Sequence, residues 1–407
     1  MLKLIEVEKL RLGMHIHKLG GSWLDHPFWR NAFLLDDPKD MHAVLSSGLR
    51  EVWIDTSKGL DVQCSNDELP AVASTPTIPA QAATARAIVP HADAAQEAVR
   101  AVKICANAKQ AVTSMFEEAR MGKALRGSDA LEVVEEISNS VLRNPSALIS
   151  LARLKNKDDY TYMHSVAVCA LMVSLARQLG LDAGQVRQAG LAGLVHDIGK
   201  MMIPAEILNK PGKLTDAEFT TIKNHPAEGH KLLLEGSDIC AAALDVCLHH
   251  HERIDGSGYP ERLAGDQISL YAKMGAVCDV YDAISSNRPY KNGWEPAESL
   301  RRMAEWRIAG HFDETVFEAF VKSIGIYPVG SLVRLESNHL GVVIGQSEQS
   351  LLVPRVKLFF SIKSNGRIPA EIVDLSQPHC RDKIVSHESP EKWGIADLRE
   401  LWSGVAT

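Results

Sequence analysis

The sequence predicts a mainly α protein with a small α+β module at its amino end and a small β-rich subdomain at its carboxyl end. Three observations carry that reading. Residues 158–325 hold apolar side chains at helical spacing almost throughout. Residues 1–63 alternate short β-type runs with turns, and from Tyr327 onward the pattern returns to short strands. With 407 residues and 45% apolar content, the chain has material for two or three domains and a buried core.

In the amino-terminal module, residues 1–64, the runs 4–8, 14–17, 33–35 and 52–55 read as strands and 40–49 as one short helix. His15, His17 and His26 are taken as surface residues, because two-residue spacing on a strand sends side chains to one solvated face. Residues 65–91 shift to Ala, Pro, Thr and Ser, the composition of a linker. Residues 92–150 are connecting helices. The first, Ala-rich over 92–125 with Val99, Val102, Val112, Met115 and Phe116 at helical spacing, is read as packing within the chain rather than on a second subunit; the other opens near Ser128. Within 151–326, helices are expected over 160–180, 183–200, 215–225, 229–235, 239–251 and 270–286. Residues 327–407 give strands at 330–335, 339–344 and 356–360, then a polar tail with a last short helix near 395–402.

A net charge of -7 offers no field for a nucleic-acid polymer or an anionic membrane, so a nucleotide ligand would be small and held by local charges. Seven cysteines without C-x-x-C or framework spacing read as reduced thiols. No stretch approaches the roughly 20 apolar residues of a membrane span, and the amino terminus lacks an export core, so the expectation is a cytoplasmic protein.

The chemistry concentrates between Val195 and Tyr290. His249, His250 and His251 stand in a row before a Gly-rich turn, and each imidazole needs a hydrogen-bond or metal partner once buried. His196 and Asp197 follow an apolar helix, with Lys200 three residues on. Adding His164, His225 and Asp279 gives a set of nitrogen and oxygen ligands spread over several helices, as a polynuclear site requires. Such a set, without thiolates, suits iron, manganese or zinc better than calcium or magnesium.

These residues, with Gly258-Tyr259-Pro260 and Arg288-Pro289-Tyr290, resemble in order and spacing the HD-GYP phosphodiesterases, the branch of the HD metal-dependent phosphohydrolases that cleaves cyclic di-GMP. The resemblance covers residues 150–325, and residues 1–64 are similar to the small domain that often precedes them. It implies an HD-type helical bundle with two divalent ions, iron or manganese, in its core. Asp197 would bridge the ions, and His164, His196, His225, His250, His251 and Asp279 would complete their shells. Lys200 would meet a phosphate oxygen, and Tyr259, Arg288 and Lys291 would line the nucleotide pocket. The activity implied is opening of cyclic di-GMP by metal-activated hydroxide to linear pGpG and on to GMP. The alternatives are a cyclic-dinucleotide receptor without turnover and another HD nucleotide phosphohydrolase. The amino-terminal module would regulate the enzyme or mediate homodimer or protein-partner contacts. Two departures stand out: Tyr160 occupies the place, four residues before His164, where some family members carry a third-ion glutamate, and Ile254 replaces a common aromatic.

Overall fold

The computed structural model describes residues 2–19, 33–46, 51–61, 94–152, 160–210, 212–286, 293–347 and 350–403. The chain parts into two compact units, residues 1–90 and 91–407. The first is an antiparallel sheet of β1 (Leu2–Glu6), β2 (His15–Leu19), β3 (Phe33–Leu34) and β4 (Glu51–Asp55), in the order β1-β4-β2-β3, with α1 (Pro38–Ser46). The period-2 pattern of β4 sends Val52 and Ile54 inward, where they meet Ile5, Met14, Ile16, Leu35 and Val44, and leaves Trp53 outside. Ile16 is buried between His15 and the exposed His17. His26 lies outside the described residues.

The second unit is a helical bundle followed by a sheet. Its helices begin with α2 (Ala94–Arg120), α3 (Gly127–Arg143) and α4 (Pro145–Ala152), and α5 (Tyr160–Gln178) lies at the centre. Every residue of α5 from 163 to 176 is buried, as expected of a helix apolar on all sides, and α5 packs against α2, α3, α4 and three later helices. Asp182 and Gln185 form a reciprocal cap that starts α6 (Ala183–Val195). The helix expected to run to residue 200 stops at Val195, and a 3-10 turn over Ile198–Met202 replaces its last part.

After α7 (Ala205–Leu208), the two helices expected over 215–225 and 229–235 are present with their boundary moved forward, the first ending at Ile222 and the second opening at His225. A second reciprocal cap, Thr215 with Glu218, starts α8 (Asp216–Ile222). The chain then turns, and α9 (His225–Leu234) opens with Pro226, whose missing N–H costs nothing in a first turn. α10 (Ala241–His249), α11 (Leu270–Ser285), α12 (Pro296–Ile308) and α13 (Glu314–Ile324) complete the bundle; Ser269 caps α11 and Asp313 caps α13.

The carboxyl-terminal sheet contains β5 (Leu332–Leu335), β6 (His339–Gly345), β7 (Arg355–Ser361), β8 (Gly366–Asp374) and β9 (Ile384–His387), ordered β8-β7-β6-β5-β9, with α14 (Leu398–Ser403) packed on β6. Its two outer strands, β8 and β9, lie where the sequence reading has only turns and a polar tail.

Candidate metal centre

Five helices deliver the site. His164 comes from the first half of α5, His196 and Asp197 from the end of α6, His225 from the start of α9, His250 and His251 from the end of α10, and Asp279 from α11. His164, His196, Asp197 and Asp279 bring one ligand atom each within 4.8 Å of one another, and His225, His250 and His251 do the same. Asp197 faces both groups. Its Oδ2 is 3.3 Å from His164 Nε2 and 3.4 Å from His196 Nε2, and its Oδ1 is 3.2 Å from His225 Nε2 and 3.7 Å from His250 Nε2. All the residues of the expected ligand set are therefore together, and all but the half-buried His251 are buried.

The helix ends explain how the imidazoles are oriented. Carbonyls in the last turn of a helix keep at least one lone pair free to accept from a side chain. His196 Nδ1 donates to Gly193 O at 2.8 Å, His225 Nδ1 to Ile222 O at 2.7 Å, and His250 Nδ1 to Val246 O at 2.9 Å. A proton on Nδ1 leaves the lone pair of a neutral imidazole on Nε2. The Nε2 atoms of His225 and His250 face each other at 3.4 Å, an arrangement that two lone pairs oppose and a cation between them would reverse. His196 Nε2 and Asp197 Oδ1 are buried with no hydrogen-bond partner. Lone pairs that converge on each other, with nothing to donate to them, fit a metal.

His164 is held differently. Its Nδ1 lies 2.5 Å from Asp282 Oδ2, one helical turn beyond Asp279, while its Nε2 meets Asp279 Oδ1 at 2.9 Å. A carboxylate behind a ligating histidine fixes its ring and raises its basicity. Asp282→Ala is accordingly expected to weaken metal affinity about 10- to 100-fold while helix content stays unchanged. Metal titration of the stripped protein checks this, and an unaltered affinity would refute the role.

Burial works against charge on Asp197, yet Lys200 and His196 hold its carboxyl well below the usual range, and Asp279 is held down likewise by His164 and His196. Burial also opposes charge on His196, but in the absence of a cation Asp197 and Asp279 draw it up to about 10, favouring on Nε2 a proton whose place a metal ion would take. Burial and neighbouring imidazoles push His250 well down, and burial pushes His251 down to about 3. The buried carboxylates thus collect positive charge at one end of the cluster and leave neutral nitrogens at the other.

A cavity of about 540 Å³ opens over the cluster, within the range of ligand pockets. His164, His225, His251, Asp279 and Lys200 line one part of it, and Ile203, Ile207, Leu208, Leu214, Phe219 and Ile222 form an apolar wall. Lys200 sits on the 3-10 turn, where residues three apart eclipse, so its ammonium meets Asp197 Oδ2 directly. Tyr259 lines the cavity and stacks on His251, with ring centroids 4.7 Å apart. Burial pushes its phenol up, so it stays a donor. The turn that carries Tyr259 is organised by Glu252, whose buried carboxylate accepts the N–H groups of Glu261 at 2.7 Å and Arg262 at 3.0 Å. Gly258 fits there because a Cβ would lie 2.5 Å from both Arg253 N and Glu252 Cα. Arg288 and Lys291 lie outside the described residues. His249 turns away from the cluster to Asp245 at 2.7 Å.

The sequence reading does not assign Phe219, Lys223, Arg120 or the role of Asp282. Lys223 stands 4.8 Å from the Phe219 ring and 5.1 Å from that of Tyr259, joining the two cavity-lining aromatics.

Residues 137–316 match the HD domain family, and residues 2–130 match a domain of unknown function, DUF3391. A curated relative, cyclic di-GMP phosphodiesterase PA4108 of Pseudomonas aeruginosa, is 57% identical over 408 aligned residues, covering 100% of this chain and 97% of the relative. The cyclic di-GMP phosphodiesterase response regulator RpfG of Xanthomonas campestris is 48% identical over 30% of this chain and 32% of its own. The 3'3'-cGAMP-specific phosphodiesterase 1 of Vibrio cholerae is 37% identical over 41% of this chain and 38% of its own. Among solved structures, Bd1817, an HDG"Y"P protein from Bdellovibrio bacteriovorus, aligns with a TM-score of 0.47 at 16% identity, covering 79% of this chain and 99% of that one.

Proposed function

This chain belongs to the HD-GYP phosphodiesterases of the HD-domain family, and from that premise we propose that it hydrolyses cyclic di-GMP to linear pGpG and, in a second cleavage, to GMP. The observation that carries the reading is Asp197, a buried carboxylate facing two groups of inward-turned lone pairs at the base of a cavity of nucleotide-pocket size. The substrate follows from PA4108, whose name states that activity and which matches this chain along its whole length.

In this reading His164, His196, Asp197 and Asp279 would hold one divalent ion and His225, His250 and His251 the other, with Asp197 facing both; the donor set suits iron, manganese or zinc, and the family resemblance favours iron or manganese. Divalent ions held by these residues would supply a nucleophile from water at neutral pH and positive charge against the non-bridging phosphate oxygens. Lys200, which lies against Asp197 and borders the cavity, donates to one of those oxygens. Tyr259 covers His251; its phenol and the Arg288 guanidinium would meet a guanine or ribose-phosphate edge, and the Lys291 ammonium would add positive charge. The apolar side chains that line the cavity limit the water around the substrate.

The test is anaerobic purification, metal analysis and chromatography of products formed from cyclic di-GMP. Appearance of pGpG is expected. A fully metal-loaded protein that leaves cyclic di-GMP intact would overturn the reading.

The number of ions gives a further prediction. Tyr160 stands at the start of α5, four residues before His164, and its phenol, with an ordinary pKa of about 10, lacks the charge to compensate a third cation. Its side chain, and Asp158 and Asp159, lie outside the described residues. Metal analysis of protein purified without chelator should find two ions per chain. Three fully occupied positions would refute this.

A further inference from the structure

Among the described residues, one arginine and two lysines line the cavity, and both lysines are already neutralised. Lys200 lies against Asp197, and Lys210 reaches both oxygens of Glu218 at 2.7 and 2.8 Å. Arg120, the last residue of α2, is exposed at the cavity and makes no ion pair or hydrogen bond among the described residues. Its position is not that of a loose helix end. Phe116, one turn back, is fully buried and meets the Tyr162 ring edge-on at 6.0 Å. Tyr162 itself lines the cavity two residues before His164. α2 also packs along α5 and against the 198–202 turn that carries Lys200. The end of α2 is thus fixed to the same elements that hold the metal ligands, although it precedes the HD-domain match at 137–316 and falls in the 2–130 stretch of unknown function.

We infer that Arg120 is a substrate-binding residue that takes the phosphate of the cyclic dinucleotide remote from the ions. The inference rests on the function proposed above. A cyclic dinucleotide carries two phosphodiesters, and ions at the cluster compensate only the one being cleaved. The other enters a cavity where, of the two described lysines, Lys200 lies against the metal cluster and Lys210 is already committed to a carboxylate. A guanidinium presents a planar fork matched to two phosphate oxygens, and its charge is never lost near neutral pH. Binding at this end of the substrate would also distinguish cyclic dinucleotides from simple phosphodiesters.

Arg120→Ala and Arg120→Lys are compared in the metal-loaded full chain, on cyclic di-GMP and on bis(p-nitrophenyl) phosphate, which has one phosphodiester and no second phosphate. Loss of one charge-assisted contact should raise KM for cyclic di-GMP about tenfold or more in the alanine variant. Metal content should be unaltered, and the preference for cyclic di-GMP over bis(p-nitrophenyl) phosphate should fall by the same factor, with lysine intermediate. Inhibition of bis(p-nitrophenyl) phosphate hydrolysis by cyclic di-AMP, which keeps both phosphates but lacks guanine, should weaken equally. An unchanged preference, equal losses on both substrates, or a loss confined to guanine compounds would each overturn the assignment. If the wild-type protein binds cyclic di-GMP without cleaving it, the proposed activity fails, and the inhibition constants still decide the role of Arg120.

Discussion

Asp197→Ala protein should emerge from purification folded but without metal, and its turnover of cyclic di-GMP should fall by at least a hundred- to a thousandfold, about the cost of losing one preorganised electrostatic contact in an active site. The carboxylate is within 3.7 Å of four imidazole nitrogens and in contact with Lys200, so it ties the two ligand groups together and supplies much of their negative charge. Without it, the His225 and His250 nitrogens lose the carboxylate beside them, and the Lys200 ammonium adds repulsion toward any cation. The helices should survive, because their packing is made by apolar residues such as Val166, Leu171, Leu194 and Val277 rather than by this side chain. Metal analysis and circular dichroism on the same sample separate loss of metal from loss of fold. Retention of two ions with near-normal turnover would defeat the site assignment.

A single methyl group at Gly199 should be almost as damaging. A Cβ there would lie 1.9 Å from the His225 carbonyl oxygen and 2.4 Å from Gly229 N. Both are backbone atoms, so neither can rotate away, and the 198–202 turn and α9 must separate. That motion carries His225 away from Asp197. A misplacement of about one ångström at a reacting centre costs about a hundredfold in rate, so Gly199→Ala should lose metal and turnover together, and thermal stability with them. Gly345→Ala is the control, since its Cβ would meet nothing closer than Arg355 at 4.0 Å. Normal metal content and rate in Gly199→Ala would show that the turn and α9 can part without moving the ligand.

Much of this site is legible in the sequence. The histidines and aspartates are chemically conspicuous, and α5 and α6 are marked by long apolar runs and an Asp182–Gln185 cap. The break at His225 is harder to see, because only Pro226 signals that a helix begins there rather than ends. The two strands missing from the reading are both sheet edges. β8 is exposed along most of its length and carries Pro369, so it lacks the apolar alternation that a covered strand displays. Asp282 is visible as a neighbour of Asp279 one turn away, but its task depends on His164, 118 residues earlier in the chain. Arg120 and Phe219 are further cases. Nothing local marks them, because their surroundings are made by tertiary contacts.

The helix-end hydrogen bonds that orient the imidazoles also bear on how the site tolerates mutation. Three histidines, 196, 225 and 250, are aligned by main-chain carbonyls of Gly193, Ile222 and Val246. A carbonyl is present whatever side chain its residue bears, so no codon change at those acceptor positions can delete it. His164 depends instead on the carboxylate of Asp282, which one nucleotide substitution can remove. The orienting group itself can therefore be deleted by a side-chain change only at His164; at the other three a substitution acts by moving the backbone, as a Cβ at Gly193, 3.0 Å from Cys169 Cα, would do.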